Sequence, residues 1–208
     1  MIAPPERSAE RDAALEALLP NVPFDGWTVT ALRRAAGPDA DLLFPRGAAE
    51  MVEAWCDFED RRMEAAALGG LPGRLPERVR GLIALRLASV RPHREAVRRA
   101  LAVLALPRNA AVAARCTART VDTIWFAAGD RSTDFSWYTK RATLASVYGA
   151  VLLYWLRDQS EDGAATLAFL DRRLAGVARF GAARRRFTAI GGRACGPENR
   201  HRQGSATA

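Results

Sequence analysis

The residues able to do chemistry are few and scattered. Ser132, Thr133 and Asp134, in "GDRSTDFSW", form a hydroxyl-and-acid run, but neither of the two histidines, His93 and His201, lies near them. The three cysteines, Cys56, Cys116 and Cys195, stand far apart without CxxC or metal-ligand spacing. No HExxH, no pair of Glu-x-x-His motifs, no P-loop and no GxGxxG occurs, so hydrolysis at zinc, di-iron chemistry and nucleotide binding lack their usual ligands. An enzyme is therefore the weaker expectation, with no catalytic residue, metal or cofactor assigned. Ser, Thr and Asp just ahead of a helix accept hydrogen bonds from its free backbone N–H groups, worth about 0.5–2 kcal/mol, and capping explains this run better than catalysis does.

The segment C-terminal to this run is more telling. Trp137, Tyr138, Lys140 and Arg141 abut fifteen residues, 142–156, whose only polar side chains are Thr143, Ser146 and the phenol tips of Tyr148 and Tyr154. A helix apolar around most of its circumference must be buried or must face something other than water. Fifteen residues span about 22 Å, short of the roughly 30 Å hydrocarbon core of a bilayer, so a transmembrane span is not expected. One stripe, Leu144, Val147, Tyr148, Val151, Leu152 and Trp155, joined by Leu170 from the next helix, is expected either to fill a core or to line a cavity for a long apolar ligand.

The elements that must position these residues read as helices nearly throughout, because apolar residues recur at helical spacing and runs of alternating β-branched residues are missing. Helices are expected over about 7–18, 28–36, from about 45, 76–89, 92–105, 109–128, 135–157 and 162–180, with a short helical turn near 39–44. The fold class is all-α. "GGLPGRLPE" at 69–77 is the best internal hinge, dividing an N-terminal group of helices, 1–68, from a body, 69–190, ahead of a basic tail, 191–208, expected to be disordered.

The formal charge of +8 suggests nucleic acid until it is apportioned. Residues 1–170 hold 22 Lys and Arg against 21 Asp and Glu, whereas residues 171–208 hold 9 against 2. The basic excess thus belongs to the C-terminal end, where Arg184, Arg185, Arg186 and Phe187 make a plausible contact with an anionic membrane surface. The odd cysteine count and an N-terminus with early acids and no h-region place the chain in a reducing compartment, expected to be a bacterial cytoplasm with peripheral association to the inner membrane.

Three short helices before a larger helical body is the plan of a tetracycline-repressor-like protein, and "LRRAAGPDADLLFPRGAAEMVEAW" resembles its helix-turn-helix head. The segment that would enter the major groove, 38–44, carries Asp39 and Asp41 and no Arg, Lys, Asn or Gln to meet bases or phosphates. The head is expected to be degenerate and no nucleic acid is expected as a partner; a ligand-responsive transcriptional regulator remains the alternative function.

"GDRSTDFSWYTKRATLASVYGAVLLYWLRDQSED" with "TLAFLDRRLAGV", preceded by "LALPRNAAVAARCTARTVDTIWFAAGD", resembles the coenzyme Q (ubiquinone) biosynthesis protein Coq nine family. The resemblance implies a non-enzymatic accessory protein, usually a homodimer, that binds an isoprenoid quinone intermediate or a phospholipid. It also implies a partner, the di-iron demethoxyubiquinone hydroxylase, docked at Leu106, Pro107, Trp125, Asp134, Trp137, Tyr138 and Arg141. Where the resemblance implies a long C-terminal amphipathic helix, the corresponding stretch here reads as a short Arg-rich segment and then a Gly-rich tail.

Overall fold

The computed structural model describes residues 3–130 and 136–191, with side chains over 3–130 and 137–179. Among these the regular structure is helical: α1 (Ala9–Leu18), α2 (Val22–Asp25), α3 (Val29–Ala36), α4 (Ala48–Ala66), α5 (Leu75–Val90), α6 (Arg94–Leu104), α7 (Ala110–Ala127), α8 (Ser136–Trp155) and α9 (Ala164–Gly191). Short 3-10 turns precede α4, α6, α7 and α9.

Local chemistry explains the boundaries. Ser8 and Thr28 accept hydrogen bonds from the N–H groups of Arg11 and Ala31, at 3.2 and 3.1 Å, and so start α1 and α3. Gly37, at φ +105, ends α3, where a side chain would be strained. "VPFD" closes into the single helical turn α2 because Pro23 presets the first-turn backbone angle. The last helix runs to Gly191 rather than stopping near 180.

The head is degenerate as expected. Where a recognition helix would come after α3 there is one 3-10 turn, Ala40–Leu43. Arg33 grips Asp41 through two bonds of 3.0 and 2.6 Å, and Arg34 grips Asp25 at 2.7 Å, so the two cations of α3 are already engaged.

One hydrophobic core runs unbroken from head to body. Trp27 and Trp55 meet at 5.1 Å between ring centres, and the Trp27 indole N–H donates to the carbonyl of Ala96 at 3.1 Å, tying the α2–α3 corner to α6. On α4, Met51, Trp55 and Met63 are buried as their spacing predicts, while Phe58 is half-buried beneath the guanidinium groups of Arg61 and Arg62. The same helix buries five carboxylates, those of Glu50, Glu53, Asp57, Glu59 and Asp60. Burial of a charge is tolerated only with partners, and four of the five have hydrogen-bonded ones: Arg11 for Glu50, Arg7 and Arg61 for Asp57, Arg86 for Asp60, Arg115 and Arg119 for Glu53; Glu59 has only the Arg62 charge at 3.6 Å and no hydrogen bond to either carboxylate oxygen.

The buried Asp158 joins α8 to α9. Its carboxylate accepts from the backbone N–H groups of Ser160 and Thr166, each at 2.8 Å, and from the Thr166 hydroxyl at 2.5 Å. Burial alone pushes its pKa up, but these donors outweigh it and hold the carboxyl well below the ordinary carboxylate range.

Candidate functional site

α7 and α8 lie side by side, and both turn small residues toward their seam. Ala113, Ala114 and Ala118 of α7 face Ala142 and Ala145 of α8, leaving a groove of about 570 Å³ completed by Thr117, Val121, Asp122, Trp137 and Arg141. Interiors pack to near-crystalline density when side chains can fill the space between helices; paired alanines cannot. The groove wall is predominantly apolar, with polarity concentrated at Asp122 and Arg141.

At its end Arg141 makes two contacts. Its Nε donates to Asp122 of α7, and its guanidinium lies 3.8 Å above the Trp137 ring. Trp137 in turn meets Tyr138 edge-on, with ring centres 4.7 Å apart, and Tyr138 is 71% exposed. Lys140 stands 5.9 Å from the ring centre of half-buried Trp125 and 3.4 Å from Asp130. Phe126, next to Trp125, is 68% exposed. Among the described residues the Nη1 of Arg141 is buried without a hydrogen-bond acceptor.

The residues implied by the family resemblance thus divide. Trp125, Trp137, Tyr138 and Arg141 come together at the adjoining ends of α7 and α8. Leu106 and Pro107 do not join them: they precede the opposite end of α7, and the axial distance from Ala110 to Trp125 alone is about 22 Å. Asp134, with Ser132 and Thr133, lies outside the described residues, as do the side chains of Arg184, Arg185, Arg186 and Phe187 and the tail 192–208.

The apolar stripe expected either to fill a core or to line a ligand cavity is buried in the core. Leu144, Val147, Tyr148, Val151, Trp155 and Leu170 are all buried, and neither they nor half-buried Leu152 line either groove described. Tyr148 shows why. It sits beside the Arg86–Asp60 pair, where Arg86 donates to Asp60 at 2.9 Å and Thr120 donates to it at 2.8 Å. Burial raises the Tyr148 phenol to about 12 and pushes the Asp60 carboxyl up, although Arg86 opposes both. The other faces of α8 carry the open surface. Besides the alanine groove, Ala150, Leu153, Tyr154 and Leu156 border a second groove of about 780 Å³ with Arg98, Arg157, Asp158, Gln159 and Phe169, and there Tyr154 stacks on Phe169 at 4.5 Å.

Sequence reasoning missed the alanine groove because small residues carry no chemical signal. The available clue was their helical spacing, 114 with 118 and 142 with 145, on two consecutive helices. No helix among the described residues is long and apolar enough to cross a membrane, and no group of three or more metal-ligating side chains occurs among them.

Comparison with known proteins bears on the same segment. Residues 110–181, which hold α7, α8 and the first part of α9, match the COQ9 family model. The chain is 32% identical over 174 residues to the mitochondrial ubiquinone biosynthesis protein COQ9 of Rattus norvegicus, covering 77% of this chain and 56% of the relative. It is also 32% identical to the Homo sapiens protein, at 77% and 55% coverage. The chain therefore spans little more than half the length of these curated relatives. Among solved structures it is similar to a TetR transcriptional regulator from Nitrosomonas europaea ATCC 19718, with a TM-score of 0.66, 26% identity, and coverage of 82% of this chain and 99% of that one. The fold is thus tetracycline-repressor-like. The expected bacterial cytoplasmic location is overturned, since the relatives are named as mitochondrial proteins. That expectation rested on the odd cysteine count and on the composition of the first residues.

Proposed function

The chain belongs to the COQ9 family, whose members are named for ubiquinone biosynthesis, and we propose that it serves that pathway as a non-enzymatic accessory protein. In this reading it holds an isoprenoid quinone intermediate, or a phospholipid, and presents it to a di-iron demethoxyubiquinone hydroxylase docked on the Trp137 cluster. The observation that carries the reading is that Trp137 and Arg141 belong to two features at once, the groove wall and the exposed aromatic cluster. A ligand in the groove is then delivered beside the docked partner.

The chemistry suits such a ligand. An isoprenoid chain fits an alanine-walled groove, where each buried methylene contributes about 0.8 kcal/mol. A quinone or ester oxygen at the cluster end lies beside the Arg141 guanidinium, which borders the groove. Trp, Tyr and Arg are the residue types that dominate interface energetics. Peripheral membrane contact through Arg184, Arg185, Arg186 and Phe187, and a homodimeric state, belong to the same proposal.

A transcriptional regulator is the second reading, favoured by the solved TetR relative. Against it stand the 3-10 turn in place of a recognition helix and the engagement of Arg33 and Arg34 by acids. Solvent extraction of the purified chain with subsequent mass spectrometry tests the ligand: isoprenoid or phospholipid is expected, and a lipid-free chain that also fails to bind added quinone overturns it. Co-purification with the hydroxylase tests the partner. Trp137→Ala with Tyr138→Ala is expected to abolish it while the melting temperature holds; retained co-purification overturns the docking surface.

A further inference from the structure

The contact between α4 and α7 brings together two groups that neither the groove nor the cluster uses. The helices run parallel with matched register. Arg115 and Arg119 of α7 each reach Glu53 of α4 at 2.8 Å, and one turn and more along, the Thr120 hydroxyl donates to Asp60 at 2.8 Å. Between these anchors Cys56 stands one turn before Asp60 on α4 and Cys116 one turn before Thr120 on α7, so the register that joins Asp60 to Thr120 brings the two cysteines opposite each other.

We propose that Cys56 and Cys116 form a redox pair, closing to an intramolecular disulfide under a hydroperoxide and so tying α4 of the head to the helix that walls the groove. The bond spans elements already held in register from both sides. α7 offers Cys116 to α4 while its opposite side, at Ala114, Thr117 and Ala118, faces the groove, so the disulfide anchors the groove wall from behind.

The two sulfurs differ. The hydrogen bond from Cys56 lowers the Cys116 pKa, burial opposes it, and the charge of Arg119 assists. The same hydrogen bond, with burial, pushes Cys56 well above the ordinary thiol range. Cys116 is therefore the more acidic of the two thiols and the better nucleophile, while half-buried Cys56 provides the edge nearer solvent. The Cys116 thiolate attacks the distal oxygen of the hydroperoxide; the O–O bond breaks, an alcohol or water departs with one proton, and Cys116 becomes a sulfenic acid. Cys56 then attacks that sulfur, the S–S bond forms, the S–O bond breaks, and the hydroxide leaves as water with the proton from Cys56. Two thiols and one hydroperoxide become one disulfide, one alcohol or water, and one water. A dithiol reverses the bond.

The test uses the full folded chain, reduced and then exposed to hydrogen peroxide in modest excess, with thiol counting and peptide mapping under non-reducing conditions. The expected product is a single Cys56–Cys116 linkage, released by dithiothreitol, formed equally by the Cys195→Ser variant and lost in Cys116→Ser. In Cys56→Ser, the sulfenic acid is expected to persist at Cys116, where dimedone traps it. The same oxidation in guanidinium, where chain entropy alone selects partners, is expected to give all three pairings. The proposal is overturned if the folded chain gives the guanidinium mixture, pairs through Cys195, links between molecules, or is oxidised no further than separate sulfenic acids. This test is independent of the lipid and partner reading.

Discussion

Arg141 binds two helices through one guanidinium: its Nε donates to Asp122 of α7 while its plane lies 3.8 Å above Trp137 of its own helix. The salt bridge therefore orients the aromatic ring. Asp122→Ala is expected to release Arg141, weaken hydroxylase binding by about tenfold, equivalent to about 1.4 kcal/mol, and leave the melting temperature nearly unchanged because both side chains are partly exposed. Calorimetric titration against the hydroxylase checks it; unchanged affinity removes the orienting role.

Ala118 stands on the groove wall. Ala118→Phe is expected to fill that space and abolish lipid recovery on extraction, while far-ultraviolet circular dichroism stays native. If lipid recovery persists, the ligand lies elsewhere, with the groove bordered by Leu153 and Phe169 next in line.

Asp158 supplies a pH signature. Its carboxyl is depressed on folding, so its contribution is fully present above the unfolded value of about 4 and is lost as the pH falls through the lower folded value. Asp158→Ala is expected to cost about 2 kcal/mol near neutrality by uncovering the first turn of α9. The gap between parent and variant in urea unfolding narrows below about pH 4; a gap constant down to pH 3 contradicts the assignment.

Tyr148 supplies the opposite sign. Its phenol is raised to about 12 by burial, so the native state retains a proton that the unfolded chain releases near 10, and stability falls as the pH climbs from about 10 toward 12. Of the three tyrosines, one is expected to resist ionisation at 295 nm until near pH 12. Tyr148→Phe removes that late step.

Glu53 is 4% exposed and holds both Arg115 and Arg119. Glu53→Ala strands the buried Arg119 charge and is expected to cost about 3 kcal/mol in denaturant unfolding. A loss below about 1 kcal/mol indicates that solvent reaches Arg119.

The helical plan was legible because it rests on local rules. Apolar spacing, Ser8 and Thr28 ahead of α1 and α3, and Gly37 behind α3 act within one turn, and the expected segments 28–36 and 109–128 fall within a residue of α3 and α7. The weakness of the head was equally local, since Asp39 and Asp41 stand where a DNA reader needs cations. By itself, the sequence determined an all-α chain, a degenerate helix-turn-helix, and an aromatic-basic run beside an apolar helix. Tertiary structure alone decided which stripe of α8 is core. With nearly every position of 142–156 apolar, the helix carries almost no amphipathic signal, and only its neighbours can choose a face. The same long-range packing placed Leu106 and Pro107 away from Trp125, gave Glu50, Glu53, Asp57 and Asp60 of α4 their arginines, and set Cys56 against Cys116. Each of these depends on helices meeting at a particular register, a property of the packed interface that no local spacing encodes.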